Sequence, residues 1–237
     1  MRVEQQPGWI LHERPYRETS LLLEAFTRDH GRIGLVARGV RTAKPRLARA
    51  HLAPIQPVVL SWSGRGELGT LTAAEPVGTA LRPHGDALLG ALYLNELLVR
   101  LLPRGDAHPE LFARYGACLE ELSGAGSAAW TLRRFERDAL GELGYALELA
   151  HEVETGHALD PDSDYSFDPE RGPVAWPARP IAPRLPGAVL LALAREREPA
   201  VAELRAIRGL MRTLLRHHLG GRELHAWRMF AGTTRTG

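Results

Sequence analysis

A chain of 237 residues, 44% of them hydrophobic, is long enough for one large or two ordinary domains and can fill a real core. Its single cysteine, Cys118, excludes a disulfide framework and any multi-cysteine zinc site, and no apolar run approaches the roughly 18 uninterrupted residues that cross a bilayer. The net charge of +2 is unevenly held: residues 1–80 carry eleven Lys and Arg against seven Asp and Glu, whereas residues 81–237 carry nineteen against twenty-one.

Short runs rich in apolar and β-prone residues come first, separated by Gly, Pro and Arg: WILHERPY, SLLLEAFT, GRIGLVARG, PVVLSW and LGTLTAAE. Most are continuous rather than alternating, which predicts a five-stranded OB-type β-barrel over residues 1–80 with few wet faces. The connection VRTAKPRLARAHLAP, between the third and fourth runs, is too long for a hairpin loop and is expected to carry a helix or a long loop. Beyond residue 80 the period turns helical. In DALLGALYLNELLVRLL, Leu94, Leu97, Leu98 and Leu101 share one face, with Asp86 expected as N-cap and Pro103 as the stop. PELFARYGACLEELS opens on Pro109 at a permitted first-turn position, and AAWTLRRFERDALGELGY aligns Leu132, Phe135, Ala139 and Leu143, with Gly144 at its C-terminal cap. From about 151 to 186 the pattern gives way to acidic, Pro-rich sequence, then resumes in AVLLALAR and PAVAELRAIRGLMRTLLRHH. The predicted fold is α+β and multidomain: a barrel over 1–80, then an all-α helical domain over 81–237 with an irregular insert at about 151–186.

Several motifs fail on context. Gly64, Gly66 and Gly69 spell G-x-G-x-x-G, but a strand rather than a helix follows, so a hairpin turn is expected and not a dinucleotide site. His151 and His157 are six apart, where a zinc protease needs four with Glu between. Asp160, Asp162 and Asp164 start like a calcium loop, yet Tyr165 stands at the turn glycine and Arg171 at the bidentate glutamate. No P-loop or serine-esterase motif occurs. A buried Cys118 thiol, no catalytic residue, no metal and no cofactor are the expectations.

Two basic features remain. The stretch TRDHGRIGLVARGVRTAKPRLAR holds Arg28, Arg32, Arg38, Arg41, Lys44, Arg46 and Arg49 against one acid, Asp29. Such cations can follow a phosphate backbone along a barrel, or they can be a solvated surface with no partner. Arg205, Arg208, Arg212 and Arg216 fall on one helix face, where the alternative is an ordinary polar face. Aromatic residues are scarce: Tyr16 is the candidate for stacking a base, Phe26 is expected in the core, and Trp62 is open between the two.

The run RPYRETSLLLEAFTRDHGRIGLVARGVR resembles the N-terminal signature of the RecO family of bacterial recombination mediators, and FERDALGELGYALEL and LRHHLGGRELHAWRMF resemble its later segments. The resemblance implies an OB domain, a helical domain with a zinc-finger-like insert, and a bacterial, cytoplasmic, nucleoid-associated protein. It further implies binding of single- and double-stranded DNA and annealing of complementary strands. The implied partners are RecR and the acidic, apolar-ended C-terminal tail of single-stranded DNA-binding protein, with RecA loaded in that protein's place. Two departures stand out. Glu152 occupies the expected first cysteine position in AHEVETGHALD, so zinc is not expected, and Ala226-Trp227 precedes Arg228 where relatives often carry Ser-Arg. For the acidic tail, Arg133, Arg134 and Arg137 beside Leu132 and Leu140 offer guanidinium and apolar groups at helical spacing. The rival readings are a protein-binding scaffold with no direct DNA role, and a metal-dependent hydrolase using the acidic insert.

Overall fold

The computed structural model describes residues 2–43, 45–64, 67–176 and 184–228. The chain divides into two compact units, residues up to 126 together with those from 224 onward, and Ser127–Glu223.

In the first unit, β1 (Arg2–Tyr16), β2 (Ser20–Thr27), β3 (Gly31–Ala37), β4 (Pro57–Ser63) and β5 (Leu68–Pro76) close a barrel in the order β1-β2-β3-β5-β4. All pairings are antiparallel except β3 with β5. Closure requires one strand to reach both sides of the sheet. β1 does so across fifteen residues, bending at register shifts near Val3–Gln6 and Ile10–His12, the first marked by a positive φ at Gln5. Leu21, Leu23, Ala25, Leu35, Val58, Leu60 and Trp62 fill the interior. The β3–β4 connection carries a single 3₁₀ turn, Arg49–Leu52, whose Leu52 is wholly buried in that core.

β2 reads as a continuous apolar run because both of its faces are buried, whereas β4 alternates buried and half-buried residues and β5 leaves outer positions exposed. Helices α1 (Gly85–Leu101) and α2 (Pro109–Leu122) belong to the barrel's compact unit, so the composition shift at residue 80 is not where this unit ends. Trp9 and Phe26, outside the barrel core, meet α2 through edge-on contacts: Trp9 with Tyr115 at 5.5 Å and Phe26 with Phe112 at 5.5 Å. The Tyr115 hydroxyl donates to the side-chain oxygen of the buried Asn95 in α1. Asp86 is not the N-cap of α1; His84 holds that position and Asp86 lies in the first turn, where the helix dipole favours a negative charge. At the β2–β3 turn, Gly31 has φ +61° and a Cβ there would lie 1.8 Å from the Asp106 carbonyl oxygen, so both conformation and space demand glycine.

In the second unit, α3 (Ala128–Glu142) starts at Ser127, whose hydroxyl accepts from Trp130 N at 3.3 Å. It ends in a Schellman motif: Gly144, at φ +87°, donates to the Gly141 carbonyl, and Tyr145 donates to that of Leu140. The insert is more regular than its sequence suggests and departs from an all-α reading. β6 (Asp164–Asp168) lies between β7 (Gly172–Ala175) and β8 (Leu185–Pro186) in a three-stranded antiparallel sheet. Periodicity missed these strands because they are at most five residues long and are punctuated by Pro and Asp. α4 (Gly187–Ala194) is buried on nearly every side, while α5 (Val201–His218) buries one stripe of Ile207, Leu210, Met211, Leu214 and Leu215.

Candidate nucleic-acid interface

One end of the barrel gathers cations that the rest of the fold does not neutralise. Tyr16 closes β1 and Ser20 opens β2, and the tight turn between them places Arg17 at φ +53° with its guanidinium 5.2 Å from the Tyr16 ring centroid. The β2–β3 register, Leu21 opposite Ala37, carries the chain past this turn. Arg41 N then donates to the Thr19 carbonyl at 2.9 Å, tying the loop after β3 to the β1–β2 turn. A cleft of about 560 Å³ forms there, lined by residues 16–20 with Val36 and Arg38. Arg14, Arg17, Arg38, Arg41 and Arg46 are exposed and form no ion pair among the described residues. Glu18 supplies one carboxylate to the cleft lining. Tyr16 is half-buried, with part of its ring accessible beside this cluster. The arrangement offers positive charge and a π-face, which is what a sequence-tolerant phosphate-backbone contact needs.

The other cations of the stretch are committed elsewhere. Arg28 grips Asp29 through two hydrogen bonds, which hold the Asp29 carboxyl below its ordinary range. Arg32 is half-buried and donates to the Leu102 carbonyl and to Glu24, each at 2.8 Å; Glu24 also receives Arg104. That carboxylate between two guanidinium groups fastens β2 and β3 to the segment after α1. Gly34 leaves room for it, since a Cβ there would meet Arg104 at 2.4 Å. Arg49 pairs with Glu13 at 2.8 Å. Lys44 lies outside the described residues, as does Gly66. Gly64 and Gly69 do flank the β4–β5 hairpin rather than a helix N-terminus. Phe26 is buried beneath α2 and Trp62 inside the barrel. Arg14 and Arg17 escaped sequence reasoning because they precede the dense basic run, although RPYR already placed two arginines around the candidate aromatic.

The arginine cluster of α3 has the opposite character. Leu140 is fully buried, Leu132 is 6% exposed and Arg133 is 8% exposed, with Arg133 bonded to the buried Glu136 at 2.6 Å. Arg137 reaches Asp138, Glu196 and the Leu193 carbonyl, joining α3 to the end of α4. Burial works against its charge, but the hydrogen bonds it donates to Glu196 and Asp138 outweigh it and raise its pKa. Arg134 is half-buried. These side chains hold α3 in its unit, with the two leucines of the expected tail-binding row buried and Arg133 and Arg137 paired to carboxylates.

In the insert, Glu152 is buried. Its carboxylate accepts from Glu154 N and from the backbone and hydroxyl of Thr155, and its own N–H donates to the His157 carbonyl. The Thr155 hydroxyl is the main reason its pKa falls below the ordinary glutamate range, with the backbone N–H groups of Glu154, Thr155 and Ala175 adding to it. Val153 N bonds the Pro173 carbonyl, so this turn is stitched to β7. Glu148 and Asp160 cap neighbouring turns in the same way, and both pKa values are lowered, chiefly by the backbone N–H of Ala150 and of Asp162 respectively. Asp164 instead pairs with Arg184. The acidic residues of the insert are thus turn-formers, and among the described residues no three His, Cys, Asp or Glu side chains converge as metal ligands would. Cys118 is buried in α2.

Family models match almost the whole chain: that described as "Recombination protein O N terminal" covers residues 1–80 and that described as "Recombination protein O C terminal" covers 82–228. The chain belongs to the RecO family. Proteins named "DNA repair protein RecO" from Xanthomonas oryzae pv. oryzae (strain PXO99A) and Stenotrophomonas maltophilia (strain K279a) are 43% and 45% identical to it, over 99% and 97% of both chains. One of that name from Ralstonia nicotianae is 48% identical over 94% of this chain and 82% of its own. The RecO N-terminal model coincides with the five-stranded barrel, the OB-type domain expected from the strand pattern. Where the RecO resemblance reaches the C-terminal motif, His225 N and Ala226 N donate to the Glu96 carboxylate at 2.8 and 2.9 Å, Trp227 is buried, and Arg228 is exposed. Among the described residues no helix is long and apolar enough to cross a membrane.

Proposed function

We propose that this protein acts in DNA repair and recombination by holding the phosphate backbone of single- and double-stranded DNA at the basic end of its barrel and annealing complementary strands. The observation that carries this reading is the set of Arg17, Arg38 and Arg41 gathered at the turn beside Tyr16, exposed and without ion pairs among the described residues, with Arg14 and Arg46 likewise exposed and unpaired on the adjoining chain. Annealing two polyanions needs no catalytic residue. Positive surface lowers their mutual repulsion, and one protein holding both raises their local concentration. Membership of the RecO family supports the repair assignment. It also supports RecR and the acidic tail of single-stranded DNA-binding protein as partners in loading RecA. The tail is proposed to bind elsewhere than the buried Leu132–Leu140 row.

The test is the triple variant Arg38→Ala, Arg41→Ala, Arg46→Ala on an unstructured single-stranded oligonucleotide. Three lost phosphate contacts reduce the slope of log affinity against log salt by about 2, at roughly 0.7 per contact on single strands. Because the three side chains are exposed, the melting temperature is expected to stay unchanged. Unaltered affinity at low salt would remove the interface from the barrel end and leave the scaffold reading in its place.

A further inference from the structure

A second set of exposed arginines lies on α5, in the other compact unit. Arg205, Arg208, Arg212 and Arg216 stand on the side opposite the buried stripe of Ile207, Leu210, Met211 and Leu214. Their spacing spans about 16 Å along the helix at roughly 1.5 Å per residue. That is the length of about five phosphates on one strand of a duplex, spaced roughly 3.4 Å apart. Glu203 is the one acid of the helix, and its carboxylate is occupied at the N-terminus, where it accepts from Ala200 N at 2.7 Å. Arg212 faces Glu223 at 3.5 Å, with both side chains well exposed, and such a solvated pair yields readily to a competing anion. Arg208 and Arg212 each keep a further partner within the protein, so Arg205 and Arg216, which have no ion pair among the described residues, are the unpaired ends of the row. Past the helix, Gly220 and Gly221 turn the chain at positive φ and lead to Arg222, also exposed.

We propose that this face of α5 is a second phosphate-backbone-binding surface, which holds another nucleic-acid strand while the barrel end holds the first. The inference rests on the DNA-binding reading above and supplies what strand annealing needs, two binding surfaces on one chain. A polyanion rather than a protein is the occupant because a protein interface is anchored by aromatic and apolar side chains at its centre. On α5 the one large exposed apolar residue is Val201, at the far N-terminal end of the helix. A row of guanidinium groups without such an anchor suits phosphate oxygens.

The experiment uses the full chain bound to a saturating, immobilised single-stranded oligonucleotide and measures capture of a second, labelled, non-complementary oligonucleotide, so that base pairing contributes nothing. Substituting Arg205, Arg208, Arg212 and Arg216 together by Gln keeps good helix formers on a solvent-facing row. This variant is expected to lower second-strand capture and the annealing rate by about tenfold or more, and to leave affinity for the first oligonucleotide within about twofold. The matching quadruple Lys variant restores both, and unchanged thermal melting shows that neither variant has unfolded. Second-strand capture that survives in the Gln variant overturns the inference while leaving the barrel site standing, as does a Lys variant that fails to rescue. A wild-type protein that binds no first oligonucleotide overturns the DNA reading itself. Should the Gln variant keep second-strand capture but lose binding to a polyglutamate peptide, the face belongs to an acidic protein partner, and the proposal fails.

Discussion

The arginines at the barrel end come from a stretch with one acid among seven cations and those on α3 from a helix with three acids among three arginines, and the fold treats the two sets in opposite ways. Around Tyr16, the turn between β1 and β2 and the loop after β3 leave Arg38, Arg41 and Arg46 in water with no carboxylate partner among the described residues. On α3, Arg133 and Arg137 are drawn inward and matched to Glu136, Asp138 and Glu196. Removing a charge from water is costly and is tolerated only where an opposite charge and hydrogen bonds replace the lost solvation. Arginine count therefore does not locate a polyanion site. What locates it is positive charge that the fold has left uncompensated and accessible.

Three variants press on that contrast. The largest effect is expected at Glu136→Ala, which strands the buried guanidinium of Arg133 and should cost about 3–5 kcal/mol of stability, read as a lowered denaturant midpoint. A loss under about 1 kcal/mol would mean that the α3 cluster is solvated after all and merges with the barrel case. Arg32→Ala sits between the extremes, because Arg32 belongs to the basic stretch by sequence but to the fold by its bonds to Glu24 and Leu102. It should destabilise by roughly 1.5–3 kcal/mol while DNA affinity of the folded protein stays unchanged. A drop in affinity with no loss of stability would return Arg32 to the interface. The smallest effect concerns acid. Since the Glu152 pKa is depressed in the folded state, its contribution is complete above the ordinary glutamate value of 4.5 and is lost as pH falls through the lower folded value. Hydrogen-exchange protection in the insert, measured against the intrinsic rate at each pH, should fall over that acid range in the wild type. In a Glu152→Gln variant protection should be lower already at neutral pH and vary less with acid.

The barrel was legible because its signal is local: five apolar runs with Gly and Pro between them name five strands, and the buried outer face of β2 explains why that strand does not alternate. The helices were legible by period, and Gly144 by its place after the last apolar position. Pairing was legible only where it is local, as for Arg133 with Glu136 and Arg137 with Asp138. Arg32 and Glu24 are eight apart on neighbouring strands, Arg104 arrives from a distant segment, and Arg137 also meets Glu196 across 59 residues of chain, contacts that no short window of sequence shows. The same limit hid Arg14 and Arg17, which join the site only through the β1–β2 turn. The insert strands escaped because their order comes from carboxylate-capped turns, a pattern that composition reads as an acidic loop.

The edge-on contacts of Trp9 and Phe26 with α2 bear on how the barrel could be isolated. A fragment ended at residue 80 would keep all five strands but present two large aromatic side chains to water on its outer wall, an adhesive surface liable to self-association. Carrying the fragment through residue 126 keeps Phe112 and Tyr115 over them, and the compact unit also takes in the segment from Leu224, whose His225 and Ala226 N–H groups donate to Glu96. A barrel with its aromatic outer wall covered is therefore longer than the five strands by at least two helices.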